Sequence, residues 1–107
     1  MVVLTELTDA IFHPVRHKIL SILNKEPRTI SEITKELNDM SIAIQEGLVR
    51  FHIAKLQCYE LVSASPIEKP SSWREIEEGR YQRIFQLNKD KLKEQLRKAQ
   101  EMLKELS

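Results

Sequence analysis

The sequence predicts a mainly α domain that carries a small β-hairpin and ends in a long helix. Three observations predict it. Apolar residues recur at helical spacing in successive short segments from Pro14 to Gln57, the pattern switches to strict alternation over Arg80 to Leu87, and helical spacing returns from Lys89 to Leu106. A length of 107 residues with 41% apolar content suits one domain with one core.

Leu4, Leu7 and Ile11 recur at helical spacing in a short amphipathic opening. His13 caps the next helix, and Pro14 suits its first position, where the missing donor would be unpaired anyway. That helix buries Val15, Ile19, Ile22 and Leu23, and ends near Asn24 before the turn at Lys25-Glu26-Pro27. Thr29-Ile30-Ser31-Glu32 has the spacing of a capping box and starts a second helix with Ile30, Ile33 and Leu37 on its apolar face. A polar turn over Asn38 to Ser41 leads to a third helix, expected from Ile42 to Gln57, whose Val49, Ile53 and Leu56 face the first two.

Beyond it, Leu61 to Ser65 reads as a strand that pairs with the alternating run Arg80 to Leu87. The connection from Pro66 to Gly79 is long for a hairpin loop. Ser72-Trp73-Arg74-Glu75 repeats the capping-box spacing, so a helical turn is expected there, with Gly79 ending it and Trp73 covering the core as a lid. In the last helix Leu92, Leu96, Ala99, Leu103 and Leu106 alternate steps of four and three, the seam of a coiled coil.

Composition removes several classes of function. No apolar run approaches the roughly 20 residues of a membrane-spanning helix. The opening Met1-Val2-Val3-Leu4-Thr5-Glu6 lacks the basic flank of a secretory signal, so a cytoplasmic location is expected. Cys58 is the only cysteine, which rules out an internal disulfide and a cysteine-rich zinc site. A glycine-rich phosphate loop, a metalloprotease helix and a nucleophile with its base are all missing, so no enzyme and no cofactor are expected. With 17 basic and 16 acidic residues the net charge is +1, and a nucleic-acid partner must be argued from local pattern.

Helix, helix, turn, helix, strand, strand, helix is the order of a winged helix-turn-helix. Two stretches carry a closer likeness. His13-Pro14-Val15-Arg16-His17-Lys18-Ile19-Leu20 resembles the proline-x-arginine opening of the arsenic-repressor (ArsR-type) regulators. Val49-Arg50-Phe51-His52-Ile53-Ala54-Lys55-Leu56, running into Leu61-Val62, is similar to their recognition-helix signature. This chain departs from the pattern in three ways: several extra residues between Leu37 and His52, Arg50 in place of a small hydroxyl residue, and Glu60 in place of the glycine before Leu61. The resemblance implies a winged helix-turn-helix DNA-binding domain over residues 1–88 and a dimerisation helix over 89–107. It further implies a homodimeric, sequence-specific regulator of transcription, acting as a repressor on double-stranded DNA. The metal ligands of the family's sensors are not matched, since the last helix has neither Cys nor His.

The expected DNA-binding residues are Gln45, Leu48, Arg50, Phe51, His52 and Lys55 on the third helix, with Arg80 and Arg83 in the wing. Gln can pair with adenine, an apolar side chain can meet a thymine methyl, and Arg or Lys can hold phosphate. Ile44, Leu48 and Phe51 read equally well as a groove-facing stripe and as core, and His52 reads better as a hydrogen-bonded structural residue than as a base reader. The expected dimer interface is Leu92, Leu96, Ala99, Leu103 and Leu106 with Leu4 and Leu7. Two alternatives stay open: a winged-helix protein-interaction module that does not touch DNA, and a metal- or redox-responsive regulator, the redox case resting on Cys58.

Overall fold

The computed structural model describes residues 13–66 and 68–106. Leu4, Leu7 and Ile11 lie outside them. Helix α1 (Pro14–Lys25) starts where the proline predicts, and His13 Nδ1 accepts the Val15 amide at 3.3 Å as its N-cap. Helix α2 (Ile30–Asp39) opens on a complete capping box: Thr29 N–H donates to the Glu32 carboxylate at 2.8 Å, and Glu32 N–H donates to the Thr29 hydroxyl at 3.2 Å. Helix α3 (Glu46–Cys58) packs against both.

The core is the seam between these three helices. Ile19, Ile22, Ile33, Leu37, Val49, Ile53, Leu56 and Leu61 are all buried to within a few per cent, so the predicted faces of α1, α2 and α3 are the ones that pack. Burying a side chain of this size contributes about 1.5–3 kcal/mol. Val15 is only half-buried, at the edge of the cluster.

The extra residues before α3 form an extended turn rather than an earlier helix. Helix α2 ends with Ser41 in the left-handed region (φ 67°), while Ser41 N–H donates to Asn38 O (2.9 Å) and Ile42 N–H to Leu37 O (3.0 Å). These are the two bonds of a Schellman cap, and they forbid the helix from continuing into Ile42. The Asn38 carboxamide then donates to Ile44 O at 3.0 Å, which ties the extended stretch down and buries Ile44 in the core. Of the three residues with two equal readings, Ile44 is therefore core, whereas Leu48 and Phe51 lie outside it.

Helix α3 ends with the same device. Glu60 has φ 60°, with Glu60 N–H bonded to Gln57 O at 2.9 Å and Leu61 N–H to Leu56 O at 3.0 Å. This is the position at which the resemblance sets a glycine, and the reason is now visible: the turn needs a left-handed residue.

The expected pairing of Leu61 to Ser65 with the run Arg80 to Leu87 forms at the root of the wing, but the wing as a whole is not a simple hairpin. Strand β1 (Val62–Ala64) pairs antiparallel with β4 (Phe85–Leu87), and β2 (Trp73–Glu77) pairs antiparallel with β3 (Arg80–Arg83). The run Arg80 to Leu87 breaks at Ile84, whose N–H donates to Ser72 O and whose carbonyl accepts from Ser65 N–H. The expected helical turn is a short 3-10 turn at Pro70–Ser72, and Trp73 to Glu77 is strand. Gly79 (φ 74°) supplies the tight turn between β2 and β3 and ends no helix. Trp73 stands at the root of β2, partly exposed beside the helices, and is not a lid at a loop tip.

Helix α4 (Lys89–Leu106) has the predicted limits, with Lys91 N–H donating to Asn88 Oδ1 at 3.1 Å as its cap. Its leucine stripe divides. Leu92 and Ala99 pack partly buried against the core, while Leu96, Leu103 and Leu106 remain exposed, the last two at 56% and 78%.

Candidate nucleic-acid interface

Helix α3 buries Val49, Ile53 and Leu56 and so turns Gly47, Leu48, Phe51, Ala54, Lys55 and Cys58 outward. Leu48 is 51% exposed and Phe51 49%, large apolar surfaces for a helix that already has a well-buried inner face. The Lys55 ammonium sits 5.6 Å from the centroid of the Phe51 ring, a cation–π distance that keeps its charge on the outer face. Arg50 is exposed on the flank nearer the wing, where it lines a shallow groove with Trp73, Tyr81 and Gln82. Gln45 is the exposed N-cap residue, with no side-chain bond to the helix it precedes, and lines a second shallow groove with Asn38 and Leu48.

The start of α3 is fastened to two other elements. The Glu46 carboxylate accepts the Ser31 hydroxyl from the first turn of α2 and the Gln82 carboxamide from β3 at 3.2 Å, while Gln82 Oε1 accepts the Ser31 amide at 2.8 Å. The Ser31 hydroxyl and the Gln82 amide, outweighing partial burial and helped by Arg50 and Arg80 nearby, hold the Glu46 carboxyl below its usual range. A second tie joins the wing to α2: Arg74 Nη1 donates to both oxygens of Glu32 at 2.7 Å. Burial alone would raise the Glu32 carboxyl, but the Thr29 amide and Arg74 outweigh it and lower it. A third tie is a backbone pair, Arg28 N–H to Phe85 O at 3.0 Å and Phe85 N–H to Arg28 O at 2.8 Å. Helix α3 and the wing therefore share one anchor, the N-terminus of α2.

Of the expected contact residues, Gln45, Leu48, Arg50, Phe51 and Lys55 are all exposed; Leu48, Phe51 and Lys55 share one side of α3, Gln45 precedes it at the N-cap, and Arg50 lies on the flank toward the wing. His52 does not join them. It is 5% exposed, its Nδ1 accepts Arg16 Nε–H at 3.1 Å, and its ring lies 4.9 Å from that of His13. The residue braces α3 against the start of α1, and burial, with Arg16 and His13 beside it, lowers its pKa. The two stretches that carry the family likeness thus meet in space as Arg16 and His52. Arg80 is exposed but paired with Glu77 at 2.9 Å, and the Arg83 guanidinium is bonded to the Ser65 carbonyl at the wing root. Cys58 is exposed.

Residues that sequence reasoning missed are the fasteners Glu46, Ser31, Gln82 and Arg74. Their signal was faint: Gln82 and Arg74 are polar residues on alternating strands, and nothing in spacing tells which helix a strand will touch. Among the described residues, no group of three or more His, Cys, Asp or Glu is placed to hold a metal ion, and no helix is long and apolar enough to cross a membrane.

The family model described as bacterial regulatory protein, arsR family, matches residues 13–64. An uncharacterized HTH-type transcriptional regulator of Methanocaldococcus jannaschii is 34% identical over 71 residues, which is 66% of this chain and 70% of that protein. A crystal structure of a possible transcriptional regulator for arsenical resistance superposes with a TM-score of 0.66 at 17% identity, covering 94% of this chain and 85% of that one. A PadR family transcription regulator from Clostridium difficile R20291 gives a TM-score of 0.58 at 19% identity, covering 86% of this chain and 92% of that one. A possible transcriptional regulator from Methanosarcina mazei Go1 gives 0.60 at 15% identity, covering 94% and 78%. At such identities the structural likeness shows the fold alone, a winged helix.

Proposed function

The chain belongs to the arsR family of helix-turn-helix transcriptional regulators, and on that premise we propose that it acts as a homodimeric repressor binding double-stranded DNA through α3. The family and the curated relative are regulators of transcription rather than enzymes. The observation that carries the DNA reading is the exposed side of α3, where Leu48, Phe51 and Lys55 lie together with Gln45 at the N-cap and Arg50 on the wing flank, while the helix is held at its start by Ser31 and Gln82. A helix so held can enter a major groove without first being ordered, which removes part of the entropic cost of binding.

In this reading residues 1–88 bind DNA and the helix over 89–107 joins two copies. Exposed Leu96, Leu103 and Leu106 supply the contact between copies, with Leu4 and Leu7 alongside. Dimerisation would set two recognition helices about 34 Å apart, for a site with two-fold symmetry. Anisotropy titration with the DNA upstream of the chain's own reading frame is the test. Saturable binding that Arg50→Ala with Lys55→Ala abolishes, and a dimer in light scattering that Leu103→Glu with Leu106→Glu converts to monomer, are expected. A reporter gene under that upstream DNA should be expressed less when the protein is present.

A second reading has an observation of its own. The net charge is only +1 and the outer face of α3 is apolar at its centre, which also suits a protein partner. The two part company on salt: DNA affinity falls steeply as salt rises, and an apolar protein contact does not.

A further inference from the structure

Resting on the DNA reading above, we infer that α3 recognises thymine 5-methyl groups, through Leu48 and Phe51, as the central discriminating contact with its site.

Base edges in the major groove can be read by hydrogen bonds or by apolar contact, and the thymine methyl is the apolar group displayed there. Along the outer face of α3, Gly47, Leu48, Phe51 and Ala54 offer no side-chain hydrogen bond. The side chains nearby that could offer one are engaged elsewhere. His52 is buried with Nδ1 taken by Arg16, and the Glu46 carboxylate is taken by Ser31 and Gln82. Polar reading is left to Gln45 at one end, Lys55 at the other, and Arg50 and Gln57 on the flank. Between them stand two half-exposed apolar side chains, spaced i and i+3, so that they occupy adjacent turns of one stripe.

The cations bordering the stripe fix the chemistry of the occupant. Arg50 borders the stripe beside Phe51 on the wing side, and Lys55 closes it one turn further along the helix, held over the Phe51 ring. An apolar strip bordered by cations matches methyl groups bordered by phosphates; a purely apolar protein surface would leave both charges against it without partners. Gly47 adds an independent sign of close approach. A Cβ built there meets nothing within 4 Å, so the fold itself places no demand for glycine at a helical position where glycine is costly.

The test begins with full-length protein and a pool of random-sequence duplexes, from which the bound duplexes are selected. Each selected duplex is then remade with deoxyuridine in place of thymidine, which removes the methyl and leaves every hydrogen-bonding group in place. Loss of one buried methyl contact weakens binding about fourfold, so one methyl in each of two half-sites gives on the order of tenfold. Leu48→Ala with Phe51→Ala, both exposed and outside the core, should bind thymidine and deoxyuridine duplexes equally. Equal affinity of the unaltered protein for the two duplexes overturns the inference while leaving DNA binding intact. Failure to enrich or bind any duplex at low salt overturns the DNA reading itself, and this inference with it.

Discussion

Gly47→Ala separates what the fold needs from what the partner needs. Gly47 is the second residue of α3, its backbone is not in the left-handed region, and an added Cβ would meet no protein atom within 4 Å. Alanine at such a position stabilises by about 0.4–1 kcal/mol, through lower entropy of the unfolded chain and better helix propensity. For a domain of this size that corresponds to a rise in melting temperature of about 2–6 °C. If the backbone of α3 enters a groove, the new methyl meets DNA instead, and affinity should drop on the order of tenfold, the scale of one mismatched base pair. Thermal denaturation followed by circular dichroism and anisotropy titration of the selected duplex measure the two effects on one sample. A more stable protein with undiminished affinity would refute the close approach. A less stable one would refute the claim that the protein leaves the site empty.

Two further outcomes follow from buried geometry. His52 has a folded pKa lowered from its ordinary 6.5 by burial first, then by Arg16 and His13, so the unfolded chain binds the proton more readily. Stability should therefore be complete above about pH 6.5 and decline as pH falls below it; urea midpoints across pH 5 to 8 would show the slope, and His52→Asn should flatten it. Glu60 adopts φ 60°, a conformation costing a non-glycine residue roughly 1–2 kcal/mol, while its ion pair with Lys91 is solvent-exposed and screened. After the extra unfolded-state entropy of glycine, Glu60→Gly should still stabilise by about 0.5–1 kcal/mol; a lower urea midpoint would contradict the assignment of strain there.

The helices were legible because each is specified locally. Pro14, the Thr29–Glu32 capping box and the period of Ile19, Ile33, Val49 and Ile53 act within one or two turns, and the structure follows them. The start of α3 was misjudged because Ile42 and Ile44 continue an apolar helical pattern, while the device that stops the helix is a left-handed serine at Ser41, a residue with no strong signature for that role. The root of the wing pairs as the alternation predicts, and the segment beyond it departs for a different reason. Ser72-Trp73-Arg74-Glu75 has the letters of a cap, but Arg74 spends its charge on Glu32 of α2, a contact across 42 residues that no local pattern encodes. For the candidate site, Leu48 and Phe51 were ambiguous between core and surface until the core was full without them.

The sparse charge of this chain bears on how its site must work. Glu75, Glu77 and Glu78 offset Arg80 in the wing, and Arg83 is turned onto the Ser65 carbonyl, so the outward cations that the proposed recognition helix α3 itself brings to phosphate are Arg50 and Lys55. Four phosphates neutralised by a dimer give a slope of about −4 in log affinity against log salt. Such a slope supplies little non-specific affinity at physiological salt. On the proposed DNA reading, electrostatic attraction by α3 alone would hold DNA of any sequence weakly, and residence would depend more on contacts that only the right bases provide. Under thymine-methyl recognition the half-exposed Leu48 and Phe51 would take that role, as the part of α3 on which discrimination would depend. A measured slope near −8 would show phosphate contacts well beyond these four and would shift the weight of binding from that apolar stripe to the wing.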